Sequence, residues 1–445
     1  MLLLTGEGIG QKGEGIARNQ GMPVFVPGLL PGEEAKVRLT ERRSSYFRGE
    51  ITELLKPSRL RCIPFCEYFG ECGGCHLQHL EYESSLEWKR ESIVQVFRRQ
   101  GHMDVSVNPV LPSPETHGIR NKVQLPVAGE GRSLRTGFYA PRSHRFIPIE
   151  SCPVQSPLAN RLLQHLNRLL ADLSLSSYNE SCHSGLLRHV ILRTSRDDDQ
   201  AQIVLVVNGD GIPNSDKLIS GIVPWFPEVQ SILMNINTGK GNAVMGDKAR
   251  TLWGKPYMCD RIGEYSFRIS HGSFFQTNRF LSETLYTTAL QQSGISSLDT
   301  VVELYCGVGT ITTFLSAKAA AVWGVEVSDE AVMDAIHNVQ TNGFSNFHFR
   351  AGTAEAVLPN LIREGLSPDM LLVDPPRRGC DSSLLWEIIQ AKIPKILYIS
   401  CNPATLVRDA VHLCSAGYRL STIQPYDMFP WTEHIECSCC FSLPE

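Results

Sequence analysis

From about residue 270 onward the chain repeats one pattern: a short apolar run, a turn carrying glycine or an acid, then a helical stretch. "TVVELYCGVGTITTFLSAKA" is a strand, a Gly-x-Gly turn at Gly307 and Gly309, and a helix. "AVWGVEVSDEAVMDAIHNVQTNG" is a second strand ending at Glu326, with a helix closed by Asn342 and Gly343. "FHFRAGTAEAV" opens a third unit, while "DMLLVDPPRRG" and "KILYISCNPATL" are strands that stop at Asp374 and Cys401. Strands alternating with helices bury both sheet faces, so the pattern predicts a doubly wound, Rossmann-like parallel sheet. Ligands of such a sheet sit beyond the carboxyl ends of its strands.

The turn residues narrow the ligand. The dinucleotide pattern G-x-G-x-x-G fails because residue 312 is Thr. Glu326, 17 residues past Gly309, ends the next strand, where an acid can bind both hydroxyls of a ribose. Gly-x-Gly with that acid and without the third glycine fits S-adenosylmethionine better than NAD. The bland reading is a helix-capping glycine and a surface glutamate. At Asp374 the two prolines that follow stiffen the loop and hold the carboxylate over the cleft. Enzymes that methylate exocyclic amines carry an aromatic after the comparable prolines, and this chain has Arg377-Arg378-Gly379 instead.

That leaves Cys401 as the candidate nucleophile. The C5 carbon of uracil is too weakly nucleophilic to take a methyl group. A thiolate added to C6 makes C5 enolate-like, and a base must then remove the C5 proton. Cys401, Asp374 and Glu436 in "DMFPWTEHIEC" supply these parts, with Glu433 near enough in sequence to compete as base. A cysteine after a strand is otherwise most often a buried thiol.

The rest of the chain reads as two further regions. Residues 1–60 alternate short β-like runs with Gly15, Gly21, Gly28 and Gly32, which predicts a small β-barrel. Residues 61–268 form an α+β region: one helix ("SSLEWKRESIVQVFRRQ") and strands such as "NKVQLPV", "RHVILRTS" and "AQIVLVVNG". Residues 269–445 form the domain described first. Within the middle region "CEYFGECGGC" places Cys66, Cys72 and Cys75 among glycines that let backbone wrap an inorganic centre. Three close thiolates without a histidine at zinc-finger spacing suggest an iron–sulfur cluster, with zinc as runner-up. Cys62 and Cys152 both qualify as a fourth ligand, and the thiols of "CSCC" (437–440) read mostly as core.

The net charge of −4 does not suggest nucleic acid, but its distribution does. Residues 36–61 carry eight basic side chains against three acidic ones, and residues 120–145 carry six against one, which makes a local phosphate-binding face as credible as ordinary solvated surface. No basic leader and no apolar run long enough for a membrane span is present, so a cytoplasmic protein with reduced cysteines and no membrane association is expected.

Taken together, "CEYFGECGGC", "SCPVQ", "SFFQTN", "ELYCGVGT", "VDPPRRG", "YISCNP" and "HIEC" resemble the RNA uracil-C5 methyltransferase family over nearly the whole chain. The likeness is to its iron–sulfur branch, which acts on 23S ribosomal RNA. The resemblance implies a TRAM (OB-like) barrel at residues 1–60, trimmed at its start, for RNA binding. It implies a [4Fe-4S] cluster on Cys66, Cys72, Cys75 and Cys152. It implies adenosylmethionine contacts at Gln276, Tyr305, Glu326 and Asp374, a nucleophile at Cys401 and a base at Glu436 rather than Glu433. Thr310 and Thr353 stand where relatives often carry Asn and an acid. Phe274 and Phe275 are candidates to stack on a flipped base. The expected partner is RNA, ribosomal first and the tRNA T-loop second, with no obligate protein partner. A non-catalytic RNA-binding or ribosome-assembly factor is the alternative from another class.

Overall fold

The computed structural model describes residues 1–444. Its last part is built on an eight-stranded sheet. The order across it is Phe347–Ala351, Ala321–Glu326, Thr300–Leu304, Met370–Val373, Lys395–Ser400, Glu436–Ser442 and Arg419–Leu420, with Gln424–Tyr426 also paired to Glu436–Ser442. The first five strands are parallel, and Glu436–Ser442 runs antiparallel to Lys395–Ser400. Side chains alternate between faces that are both covered, so the strands read as unbroken apolar runs. Val302, Leu371 and Tyr398 enter one core with helices Ala354–Arg363, Ser382–Ala391 and Pro403–Ser415. Val301, Leu372 and Leu397 enter the other with helices Ser282–Ser293, Thr310–Ser316 and Asp329–Thr341.

The middle part is a seven-stranded sheet of its own, from Lys248–Gly254 at one edge to Phe146–Pro148 at the other, under helices Pro157–Asp172 and Ser215–Ile222. Pro157 at the first helical position and Ser156, whose hydroxyl accepts the Ala159 N–H at 3.0 Å, start the longer helix. At the N-terminus six strands within residues 2–56 enclose Leu4, Ala17, Val24, Val26, Leu29, Ala35 and Val37. Gly15 is obligatory there, because a Cβ would stand 2.1 Å from the Leu29 carbonyl oxygen. Leu2–Thr5 is in place as a strand along Glu34–Arg42.

The middle region expected over 61–268 does not pack as one unit, and the boundary expected at 269 does not follow the packing. Helix Tyr82–Val96 and the chain after it bury Ile93, Phe97, Val107 and Val110 in the core of the parallel-sheet domain, although their sequence lies in the middle region. Bridges from Val107 to Ile423 and from Leu111 to Tyr426 sew this segment to the C-terminal sheet. Hairpin Tyr257–Ile262/Tyr265–Ser270 also packs there through Ile262, Phe267 and Ile269, so residue 269 lies inside a strand rather than between domains. An apolar stripe declares that it must be buried but not against which partner.

Lys89 locks the helix in place. Its ammonium, almost wholly buried, pairs with the buried Asp427 carboxylate, which also accepts the Tyr82 hydroxyl at 2.8 Å. Among the described residues no helix is long and apolar enough to cross a membrane. Lys89→Met strands the Asp427 charge without its counter-ion. The expected loss is about 3–5 kcal/mol, read as a lowered denaturant midpoint, and unchanged unfolding would show that the pair is not a fastening point.

Candidate active site and cysteine cavity

The carboxyl edge of the parallel sheet collects the candidate side chains. After strand Thr300–Leu304, Tyr305 takes a left-handed conformation (φ 65°), which a bulky residue adopts only under constraint. Gly307 and Gly309 follow with φ 55° and 76°, and Gly309 opens helix Thr310–Ser316. Glu326 accepts the Gly307 N–H at 3.1 Å and the Ser328 N–H at 3.0 Å, so the glycine turn and the acid are locked together. The Tyr305 hydroxyl faces Glu355 at 3.4 Å. Glu355, in the first turn of the helix after Gly352, was not singled out from sequence; only its acidic character at a helix start could have marked it.

Asp374 and Cys401 directly follow two neighbouring strands, and Glu436 begins the strand beside them. Ser400 is opposite Cys437 in the antiparallel pairing, so Glu436, first residue of its strand, comes to the same edge as Cys401. Glu436 is only 2% exposed, and burial plus the nearby Asp374 charge push its carboxyl well above the usual range, against the opposing pull of Arg377. Burial pushes Asp374 up to about 7. Burial first, then the Glu436 and Asp374 carboxyls, push the Cys401 thiol up to about 12, while Arg377 again works the other way. Arg377 also stands 3.2 Å from the His434 ring and was missed as a site residue, since an arginine pair in a loop reads as surface.

Cys401 opens onto a cavity of about 280 Å³ walled by Arg377, Glu433, His434, Trp88 and, from the barrel, Gln11 and Lys12. Glu433 is differently placed from Glu436. It lies 2.7 Å from His76 Nδ1, and although burial would raise its carboxyl, this histidine outweighs it and brings the group down to about 2. A carboxylate held so firmly ionised is a poor proton acceptor at neutral pH. Gln276 is buried, with its carbonyl accepting the Asn121 amide at 2.8 Å. The two phenylalanines divide: Phe275 is core, whereas Phe274 is 65% exposed and alone remains able to meet a base.

The four candidate metal ligands share one place. Cys66, Cys72, Cys75 and Cys152, with Gln78 and Arg120, line a cavity of about 60 Å³, several times the roughly 10–15 Å³ that admits one water. Burial pushes Cys72 up to about 11 and Cys75 up to about 12. Among the described residues no three His, Cys, Asp or Glu side chains close on a single point tightly enough for one metal ion. Cys62 is not among the residues lining that cavity; its backbone N–H donates to the His79 carbonyl at 3.0 Å. Cys437, Cys439 and Cys440 are buried in the two cores of the parallel-sheet domain.

With this geometry in place, comparison with known proteins is informative. A family model described as tRNA (Uracil-5-)-methyltransferase matches residues 258–442, and a TRAM domain model matches residues 2–52. An uncharacterized RNA methyltransferase of Oceanobacillus iheyensis is 40% identical over 98% of this chain and 95% of its own. One from Halalkalibacterium halodurans is 38% identical over 97% and 95%. Among solved structures, Pyrococcus abyssi tRNA (uracil-54, C5)-methyltransferase in complex with S-adenosyl-L-homocysteine is 26% identical, with a TM-score of 0.79 and 99% of both chains covered. The chain belongs to the RNA uracil-C5 methyltransferase family and is an S-adenosylmethionine-dependent RNA methyltransferase with an N-terminal TRAM domain.

The raised Cys401 thiol has a direct consequence in the free protein. Alkylation of the Cys401 peptide by iodoacetamide, followed by mass spectrometry, is expected to be slow at pH 7 and to rise about tenfold per pH unit up to pH 9. A fast, pH-independent rate would mean that the thiolate is already formed.

Proposed function

We propose that this member of the family methylates C5 of a uridine through a covalent adduct on Cys401, with Glu436 as the base. The observation that carries the reading is the meeting of Cys401, Asp374 and Glu436 at one sheet edge beside the Gly307–Glu326 turn. Cys401 loses its proton to solvent and its sulfur adds to C6, and the C5–C6 electron pair moves toward the O4 enolate. C5 then takes the methyl of the sulfonium, and S-adenosylhomocysteine departs. Glu436 removes the C5 proton, the C5–C6 double bond returns and the bond from sulfur to C6 breaks.

The charge balance supports these roles. Two buried carboxyls side by side resist ionising, which leaves Glu436 and Asp374 inclined to hold protons before the reactants arrive. A positively charged sulfonium bound beside them favours their carboxylate forms, and once it has become the neutral thioether the buried Glu436 carboxylate again has the raised proton affinity needed to take the C5 proton. Tyr305, the Gly307–Gly309 turn and Glu326 hold the adenosyl part of the donor in this reading, and Gln276, in the loop before helix Ser282–Ser293, is assigned a further donor contact by the family resemblance alone. Lys12, from the barrel, offers a cation to the RNA backbone at the mouth of the cavity.

Cys66, Cys72, Cys75 and Cys152 suit a [4Fe-4S] cluster. Their thiols line one shared cavity, and the glycines between them let the backbone wrap an inorganic centre. A cluster there supplies a cross-link between the cysteine loop and the middle domain, since transfer to C5 needs no electron. The substrate we favour is ribosomal RNA, on the likeness of the cysteine set to the iron–sulfur branch. A tRNA uridine is the second reading, supported by the end-to-end likeness to the Pyrococcus abyssi enzyme.

Labelled donor offered with separate rRNA and tRNA pools is expected to mark rRNA; label confined to tRNA reverses the choice. Cys401→Ala is expected to abolish transfer with RNA binding retained, and persistent turnover would reject the nucleophile. Glu436→Gln is expected to lower turnover by about 10²–10⁴-fold and to leave a protein–RNA adduct on denaturing gels. Anaerobic purification should yield a brown protein with about four irons per chain, and stoichiometric zinc would overturn the cluster.

A further inference from the structure

We propose that His76, the residue after Cys75, is a positioning residue for methyl transfer: it braces residues 431–435, which lead into Glu436 and of which Glu433, His434 and Ile435 wall the Cys401 cavity. The proposal rests on the roles proposed for Cys401 and Glu436 and adds a residue that acts on them through Glu433.

Residues 431–435 belong to no strand or helix, so no ladder of backbone bonds holds them. Their anchors come from the cysteine loop instead. The N–H groups of His76 and Leu77 both donate to the Trp431 carbonyl, at 2.8 and 3.0 Å. The His76 ring lies 2.7 Å from the Glu433 carboxylate. Trp431 is held in the left-handed region (φ 67°), which a bulky side chain keeps only where its surroundings over-determine it. Those surroundings adjoin the cysteine site: Trp431 shares a small apolar cluster with Ile119 and Val154 against which Cys75 and Cys152 pack, its ring meets Tyr82, and its indole N–H donates to the Thr116 carbonyl at 3.0 Å.

Glu436 depends on this support. Its Oε1 is buried without a hydrogen-bond partner, so the direction of the carboxyl is set by the backbone that leads into it. Upstream, Lys89 and Tyr82 pin Asp427; downstream, Arg377 meets His434. His76 supplies the link between these two fixed points. Misplacement of a reacting group by about 1 Å costs on the order of 10²-fold in rate, so a modest shift of this segment is enough to matter.

The test compares wild type, His76→Ala, His76→Gln and Glu433→Gln as iron-loaded proteins. For His76→Ala we expect kcat lowered about 10–100-fold with KM for RNA and donor within about threefold of wild type. Covalent protein–RNA complex should accumulate on denaturing gels, because the adduct forms but loses its C5 proton slowly. His76→Gln should recover part of the rate, and hydrogen exchange at residues 431–436 should quicken while strand Lys122–Ala128 is unchanged. If His76→Ala fails to fold, Glu433→Gln weakens the same contact from the other side by removing its charge, and a loss of kcat of the same kind but smaller size is expected. Unchanged kcat and unchanged exchange overturn the brace, as does a loss of RNA binding and thermal stability in proportion to rate. RNA substituted with 5-fluorouridine separates the two levels. If wild type forms no stable adduct with it, the covalent reading fails, and the exchange data still decide the brace.

Discussion

Ser400 and Cys437 face each other across two strands that run in opposite directions, and the chemistry of the site depends on that register. A parallel strand at this position would carry its first residue to the far edge of the sheet. Reversal brings Glu436, the first residue of the last strand, to the edge where Cys401 and Asp374 emerge. A slip of one residue would turn its carboxyl to the opposite face. The pairing is held along its length by Leu397, Ile399, Cys439 and Phe441, all buried in the two cores. Stability of the sheet and placement of the base are therefore one requirement.

The same burial sets the electrostatic character of the cleft. A thiol and two carboxyls sit together with Arg377 as the cation opposing all this negative charge. Each group resists ionisation because its neighbours would repel the charge and little water is present to solvate it. In the mechanism proposed, this keeps nucleophile and base quiescent until a cationic donor and an electrophilic base enter. Glu433, a few residues away, has the opposite environment: His76 compensates it, and it stays charged. Two glutamates three residues apart in "EHIE" are thus separated in role by their partners.

Three parts of the chain converge on the Cys401 cavity. The barrel brings Gln11 and Lys12, helix Tyr82–Val96 brings Trp88 and Lys89, and the parallel-sheet domain brings the reacting groups. The barrel is fastened to the segment after it by the Arg61–Glu33 pair, in which a wholly buried carboxylate accepts the guanidinium at 2.6 and 2.7 Å. The Trp88 indole N–H adds a bond to the Ile9 carbonyl at 3.2 Å. An RNA-binding module fixed in this way presents its cations beside the cavity rather than on a free tether.

Much of this was readable along the chain because its causes are local. Strand–helix alternation comes from the periods of the apolar residues, and the Gly307–Gly309 turn from the only side chain tolerant of its backbone angles. The stops at Asp374 and Cys401 come from the prolines behind them. The sequence also carried the cysteine spacing and the barrel's glycines. What it could not carry was partnership across distance. That helix Tyr82–Val96 leaves its neighbours in sequence to pack on the last domain, that Phe275 is core while Phe274 is not, and that Glu433 belongs to His76 are outcomes of packing. So is the convergence of Cys152 with a loop some eighty residues earlier. Such contacts join residues far apart along the chain and leave no periodicity or turn signal in either segment. They are settled when competing burial and pairing options are resolved together in three dimensions.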